Sequence, residues 1–222
     1  MYSFGNREDC SSVDEPFYAY YLNKHPDIYH PGREEVLASQ SKQLKEVLDK
    51  VIFANYATEN VFFKSMAHHM DDTDWEFMKD LENILLIRKP KELIASFARV
   101  IENPTILDIA LKLEYEILQY MVENDMNFTV LDSADILEDP EAYLSATCAR
   151  IGIPFSESML SWEAGERIED GVWAKYWYAN VHRSTGFANK KLSEHPFPDK
   201  LIPLLEEAQY YYDRISEHKL TL

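Results

Sequence analysis

The sequence predicts an α/β fold, a largely parallel central sheet flanked by helices. Two observations predict it. Short apolar runs alternate with longer segments of helical period, the pattern of strands joined by crossover helices. At 222 residues the chain can build one substantial core and shows no internal repeat, so residues 1–222 are read as one domain.

The strands, in order, are residues 10–13, 61–66, 84–88 and 127–131. Helical patterns cover 33–55, 73–81, 90–101 and 106–123, then 139–151, 157–162 and 198–218. Pro90 suits a first helical turn, where its missing N–H costs nothing. Asp139-Pro140-Glu141 combines a capping side chain, a proline at the first helical position and an acid near the positive helix end. The weakly patterned stretch 173–198 reads as a long loop, and such loops in compact domains are often functional. Tyr210, Tyr211 and Tyr212 straddle the buried face of the final helix.

Composition narrows the function. A formal charge of −17 argues against non-specific nucleic-acid binding, which needs a basic face, but leaves room for a phosphorylated ligand held by a few local cations. No apolar run approaches the ~18 residues of a membrane span. The opening MYSFGNRED has no basic stretch followed by an apolar one, so no secretory signal is read. Cys10 and Cys148 form no framework or metal pattern, and a cytoplasmic, reducing compartment is expected.

The stretch NILLIRKPKELIASF (83–97) carries the first functional signal. An apolar strand ends on Arg88, and Ser96 follows eight residues later in the next helix. Ligands of open parallel sheets sit beyond the carboxyl ends of the strands. A guanidinium there is suited to gripping a phosphate bidentately, and Ser96 adds a hydroxyl. The alternative is an arginine paired with a nearby carboxylate and a serine facing solvent.

Arginine at a strand end with serine eight residues on resembles the 3′-phosphate element of sulfotransferases, which use 3′-phosphoadenosine 5′-phosphosulfate (PAPS). Further segments match in order: VDEPFYAYYL (13–22), VFFKSMAHHM (61–70), LEDPEAYLSATCARIGIPF (137–155) and WEAGERIEDGVWAKYWYANVHRSTGF (162–187). Together they resemble a sulfotransferase-like family of the P-loop superfamily, with DEPxYAxYL and KxMAHH segments, over nearly the whole chain. The resemblance implies a three-layer fold and sulfuryl transfer from PAPS to a hydroxyl or amine of a small-molecule acceptor; composition adds the expectation of neither nucleic acid nor membrane as partner. Members place a first strand and a W-x-x-P-R-x-x-S-T phosphate loop ahead of the segment corresponding to MYSFGNRED. The expectation is therefore a fold lacking its first, central strand, with strands 61–66 and 84–88 facing a gap. Two further readings stay open: a non-catalytic remnant or incomplete gene model of this fold, and another phosphate-ligand enzyme, disfavoured by the lack of a Walker lysine.

Sulfuryl transfer needs charge neutralisation at the leaving group and a base for the acceptor proton. By resemblance Glu15 stands where some sulfotransferases carry a glutamate base; the alternative is a carboxylate paired to a surface lysine or capping the next segment, and Asp14 is the weaker candidate. Lys64 ends its strand as does a lysine that supports the bridging oxygen of the sulfuryl donor. His68 is the second-choice base, displaced from the Lys-x-His spacing of the cytosolic branch. His68, His69, Asp71 and Asp72 lack metal-ligand spacing, so no metal is expected. Trp173, with Trp177 and Tyr178, is a candidate for stacking on adenine or lining an acceptor pocket, against the commoner core role of such aromatics. Arg183, Ser184, Thr185 and Gly186 fall where sulfotransferases close a basic, glycine-containing loop over the 3′-phosphate. Lys190 and Lys191 read as a solvated pair.

Overall fold

The computed structural model describes residues 1–188 and 197–222; Lys190 and Lys191 lie outside them. In chain order these residues form α1 (Tyr2–Gly5), β1 (Cys10–Asp14), α2 (Tyr18–Lys24), α3 (Arg33–Ser39), α4 (Leu44–Val47) and β2 (Asn60–Lys64). Next come β3 (Asn83–Ile87), α5 (Pro90–Phe97), α6 (Ile106–Ile109), α7 (Leu111–Glu123) and β4 (Phe128–Asp132). The chain continues through α8 (Ser133–Glu138), α9 (Pro140–Arg150), α10 (Ala174–Trp177) and α11 (Ile202–Ser216). All four expected strands are present, within two residues of their expected ends, among parallel strand pairs flanked by helices.

The chain divides into two compact units, one built from residues 1–73 and 156–187, the other from 74–155 and 188–222. In the first, β1 and β2 pair in parallel, Cys10 opposite Asn60 through Asp14 opposite Lys64. Its core gathers Tyr18, Ala19, Tyr21 and Leu22 of α2, Val36 of α3, and Trp173, Ala174 and Tyr178. In the second, β3 and β4 pair in parallel, Asn83 opposite Phe128 through Ile87 opposite Asp132. There α11 packs against α7 and α5, around fully buried Ile87, Ile94, Leu111, Leu118, Met121 and Ile215. Among the described residues β2 pairs with β1 alone and β3 with β4 alone. Leu86 of β3 is 55% exposed although its strand reads as fully apolar.

The helix starts follow their local signals. Pro90 and Pro140 occupy first-turn positions, and the Asp139 carboxylate accepts from Ala142 N–H at 3.1 Å. Two long helical patterns are divided. The 106–123 pattern breaks at Ala110, whose φ of 60° ends α6 and starts α7. The 33–55 pattern breaks after Ser39, where Gln40 is extended. Its amide then accepts from Ala19 N–H at 3.1 Å and donates to the Glu15 carbonyl at 2.9 Å. That pattern ends in α4 and a π-helical turn, Leu48–Ile52. The 73–81 and 157–162 patterns form 3₁₀ turns instead of α-helix, at Trp75–Asp80 and Glu157–Leu160. α2 and α8 are helices that apolar periodicity does not single out. No helix among the described residues is long and apolar enough to cross a membrane.

Candidate functional site

The parallel register of β1 and β2 places Asp14 opposite Lys64 at the carboxyl end of both strands. Glu15 follows in the left-handed region, φ 45°, and its N–H donates to the Lys64 carbonyl at 2.7 Å. A non-glycine residue there costs of order 1–3 kcal/mol, so the surroundings must hold it. They do so through the side chain. Glu15 Oε1 accepts from Lys64 Nζ. Oε2 accepts from Met66 N–H and from His69 Nδ1, each at 2.8 Å. An ionised carboxylate only accepts, so His69 carries its proton on Nδ1.

Lys64 Nζ also donates to the Tyr178 hydroxyl at 3.0 Å and lies 3.7 Å from Asp14 Oδ1. Asp14 in turn accepts from Tyr178 at 2.7 Å and from the Trp173 indole N–H at 2.8 Å, with Gly171 N–H at 3.4 Å. The cluster thus holds two carboxylates and one ammonium. Glu15 is 2% exposed and His69 3%, while the Lys64 side chain is 30% exposed.

Burial opposes ionisation of Glu15, but the Lys64 cation, His69 and their hydrogen bonds outweigh it and hold the carboxyl well below the usual range. Burial likewise works against the Lys64 charge, and Glu15, Tyr178 and Asp14 reverse this, holding the ammonium above its ordinary value. For Asp14 burial prevails over Lys64 and raises the carboxyl. A general base works best with a pKa near the working pH. Glu15 as it stands is therefore an ion-pair partner and a weak base.

His68 follows on the same 3₁₀ turn, Ala67–Met70. Its ring packs edge-on to His69 at 4.5 Å and to Tyr21 at 5.2 Å, and its Nδ1 is buried without a hydrogen-bond partner. Burial, aided by His69, pushes it well below its ordinary value of 6.5, so the ring is neutral near pH 7. Tyr18 stacks on His69 at 4.1 Å, and its hydroxyl meets His30 Nδ1 at 2.7 Å.

The other expected site residues fall in three places. Trp173, the candidate adenine platform, is 3% exposed, its N–H donated to Asp14 and its ring edge-on to Tyr18 at 5.2 Å within the core of the first unit. In the first unit, Gly186 bridges to Ser161, and the Trp162 N–H reaches the Thr185 carbonyl at 3.1 Å. Ser184 Oγ accepts from the Trp162 indole at 3.1 Å, and exposed Arg183 donates to Asn180 Oδ1 at 2.7 Å. A Cβ on Gly186 would stand 2.9 Å from the Leu160 carbonyl oxygen, so the close strand approach requires glycine. In the second unit, Arg88 lies one residue past β3, 3.4 Å from Glu92, and Ser96 is exposed on α5. The sequence marks Glu15 and Lys64, but nothing local announces His69 as the partner of Glu15 or Tyr178 as the partner of Lys64, which lie 54 and 114 residues away in the chain.

The fold is of the α/β class, with a lysine–carboxylate cluster at the carboxyl ends of a parallel strand pair. More narrowly, residues 1–217 match the family described as Sulfotransferase domain, and the chain belongs to that family. Among curated proteins it is similar to two from Arabidopsis thaliana, branched-chain-amino-acid aminotransferase-like proteins 1 and 2. They are 34% and 31% identical over 219 residues, 98% of this chain. The chain matches 39% of their length, so those names describe proteins well beyond the matched part. Among solved structures it is similar to a sulfotransferase domain from the curacin biosynthetic pathway, with 15% identity, TM-score 0.49, and coverage of 92% of this chain and 79% of that one. A second is the sulfotransferase domain of the Synechococcus PCC 7002 olefin synthase, with 17% identity, TM-score 0.45, and coverage of 90% and 94%.

Proposed function

We propose that this chain is a PAPS-dependent sulfotransferase that transfers a sulfuryl group to a hydroxyl or amine of a small molecule. The observation that carries the reading is Lys64: an ammonium on a partly exposed side chain at the carboxyl end of a parallel strand pair, beside the buried Glu15 carboxylate. In open parallel sheets this is the ligand edge. A cation there meets the negative charge that grows on the leaving phosphate, the main electrostatic demand of the reaction. Glu15 is the acceptor-side carboxylate, and Arg88 with Ser96 keeps the phosphate-holding role that family resemblance assigns.

A second reading, a non-catalytic member of the family, is favoured by one observation. Both oxygens of Glu15 are occupied, as in a purely structural ion pair. Calorimetry with adenosine 3′,5′-bisphosphate, followed by an assay for its release from PAPS with candidate acceptors, separates the two. Binding with acceptor-dependent release, lost in Lys64→Met, supports the enzyme. Binding without release under any acceptor supports the non-catalytic member.

A further inference from the structure

We propose that Lys64 exchanges partners on binding: it leaves Glu15 for the anionic end of the sulfuryl donor, and the Glu15 oxygen it releases becomes the proton acceptor. The inference rests on the sulfotransferase reading above.

The two oxygens of Glu15 are held unequally. Oε2 has two donors that the fold fixes, the Met66 backbone N–H and the His69 ring clamped under Tyr18. Oε1 is held by Lys64. Departure of Lys64 therefore frees one oxygen while the other keeps the carboxylate aimed. Lys64 is also the partner able to move. Its side chain is partly exposed on a flexible four-carbon stem, whereas Glu15 and His69 are buried.

Charge gives the exchange its direction. The groups facing Glu15 are Asp14 from β1, Lys64 from β2, His68 and His69 from the 3₁₀ turn, Tyr18 and Tyr21 from α2, and Tyr178 after α10. With Lys64 in place, Glu15 is too well stabilised as an anion to take a proton. With Lys64 drawn to a bound anion, Asp14 and Glu15 are left as neighbouring buried carboxylates, and proton uptake relieves them. In the reaction, the acceptor oxygen forms the new S–O bond and its proton passes to Glu15 Oε1. The S–O bond to the 5′-phosphate breaks, its electron pair stays on the phosphate oxygen, and Lys64 meets that charge. Glu15 is thus a base only when a donor is bound, which discourages the resting site from activating water.

The test follows the Glu15 carboxyl by NMR in protein labelled with ¹³C-glutamate, the signal being assigned by its loss in Glu15→Gln. Two arms are run: Lys64→Met without ligand, and the unaltered chain saturated with adenosine 3′,5′-bisphosphate, whose 5′-phosphate stands for the leaving group. The expected result in both is an upward move of the Glu15 titration by about one to three pH units. Should Lys64→Met fail to fold, the ligand arm decides alone. Calorimetric binding of the bisphosphate with an unmoved Glu15 signal overturns the exchange and leaves the sulfotransferase reading standing. Absence of binding removes that reading and the exchange with it.

Discussion

The Trp173 indole N–H donates to Asp14 Oδ2 at 2.8 Å, fastening the start of α10 to the end of β1 across 159 positions of sequence. Tyr178 and Gly171 donate to the same carboxylate, so one side chain secures the whole 171–178 segment. Asp14→Ala removes every one of these acceptors and strands buried donors, each costing ~1–3 kcal/mol. We expect Asp14→Ala to expose this segment to limited proteolysis and to red-shift tryptophan emission. Asp14→Asn, which keeps one acceptor oxygen, should do so less. Cleavage and emission unchanged in Asp14→Ala would show that the segment is held by packing alone.

The ion pair of Glu15 and Lys64 is asymmetric, because Lys64 compensates two carboxylates and Glu15 only one cation. Removing one partner of a buried pair costs about 3–5 kcal/mol. Lys64→Met leaves Asp14 and Glu15 together without the ammonium they share, whereas Glu15→Gln leaves Lys64 beside Asp14. Urea melts should therefore rank Lys64→Met as the less stable variant. The reverse order would mean that Asp14 is not ionised in the native state.

Burial pushes the Glu114 carboxyl on α7 up to about 8 from an ordinary 4.5. A carboxyl raised in the folded state binds more protons there than in the unfolded chain between these two values. Its contribution is most favourable below about 4.5 and is lost as pH rises through 8. Thermal stability should fall across this window, and Glu114→Gln should flatten that fall. A melting profile equally steep in the variant would place the pH dependence elsewhere.

Arg88 and Glu92 form an exposed pair at 3.4 Å, and exposed pairs contribute ~0–1 kcal/mol. Arg88→Ala should leave the melt nearly unchanged. If Arg88 holds the 3′-phosphate, affinity for adenosine 3′,5′-bisphosphate should fall about tenfold or more, the loss of one charge-assisted hydrogen bond. Unchanged affinity in folded Arg88→Ala, measured by calorimetry, would leave Arg88 to its pair with Glu92.

The sequence by itself determined the α/β class, the order of the four strands and the starts of α5 and α9. It also placed Arg88 at the end of its strand. These rest on local physics: apolar period, a proline whose missing N–H costs nothing at a helix start, and an aspartate that caps. The tertiary structure decided which side chains meet. Gln40 interrupts a continuous helical pattern because its amide bridges Ala19 and Glu15. Trp173 belongs to the core because Asp14 awaits its N–H. His69, and not His68 beside it, reaches Glu15, since neighbouring residues on a tight 3₁₀ turn point apart. Each of these partners is distant in the chain, and burying a polar group requires a partner wherever the fold supplies one. That requirement is settled by packing between segments, which no periodicity within a segment encodes.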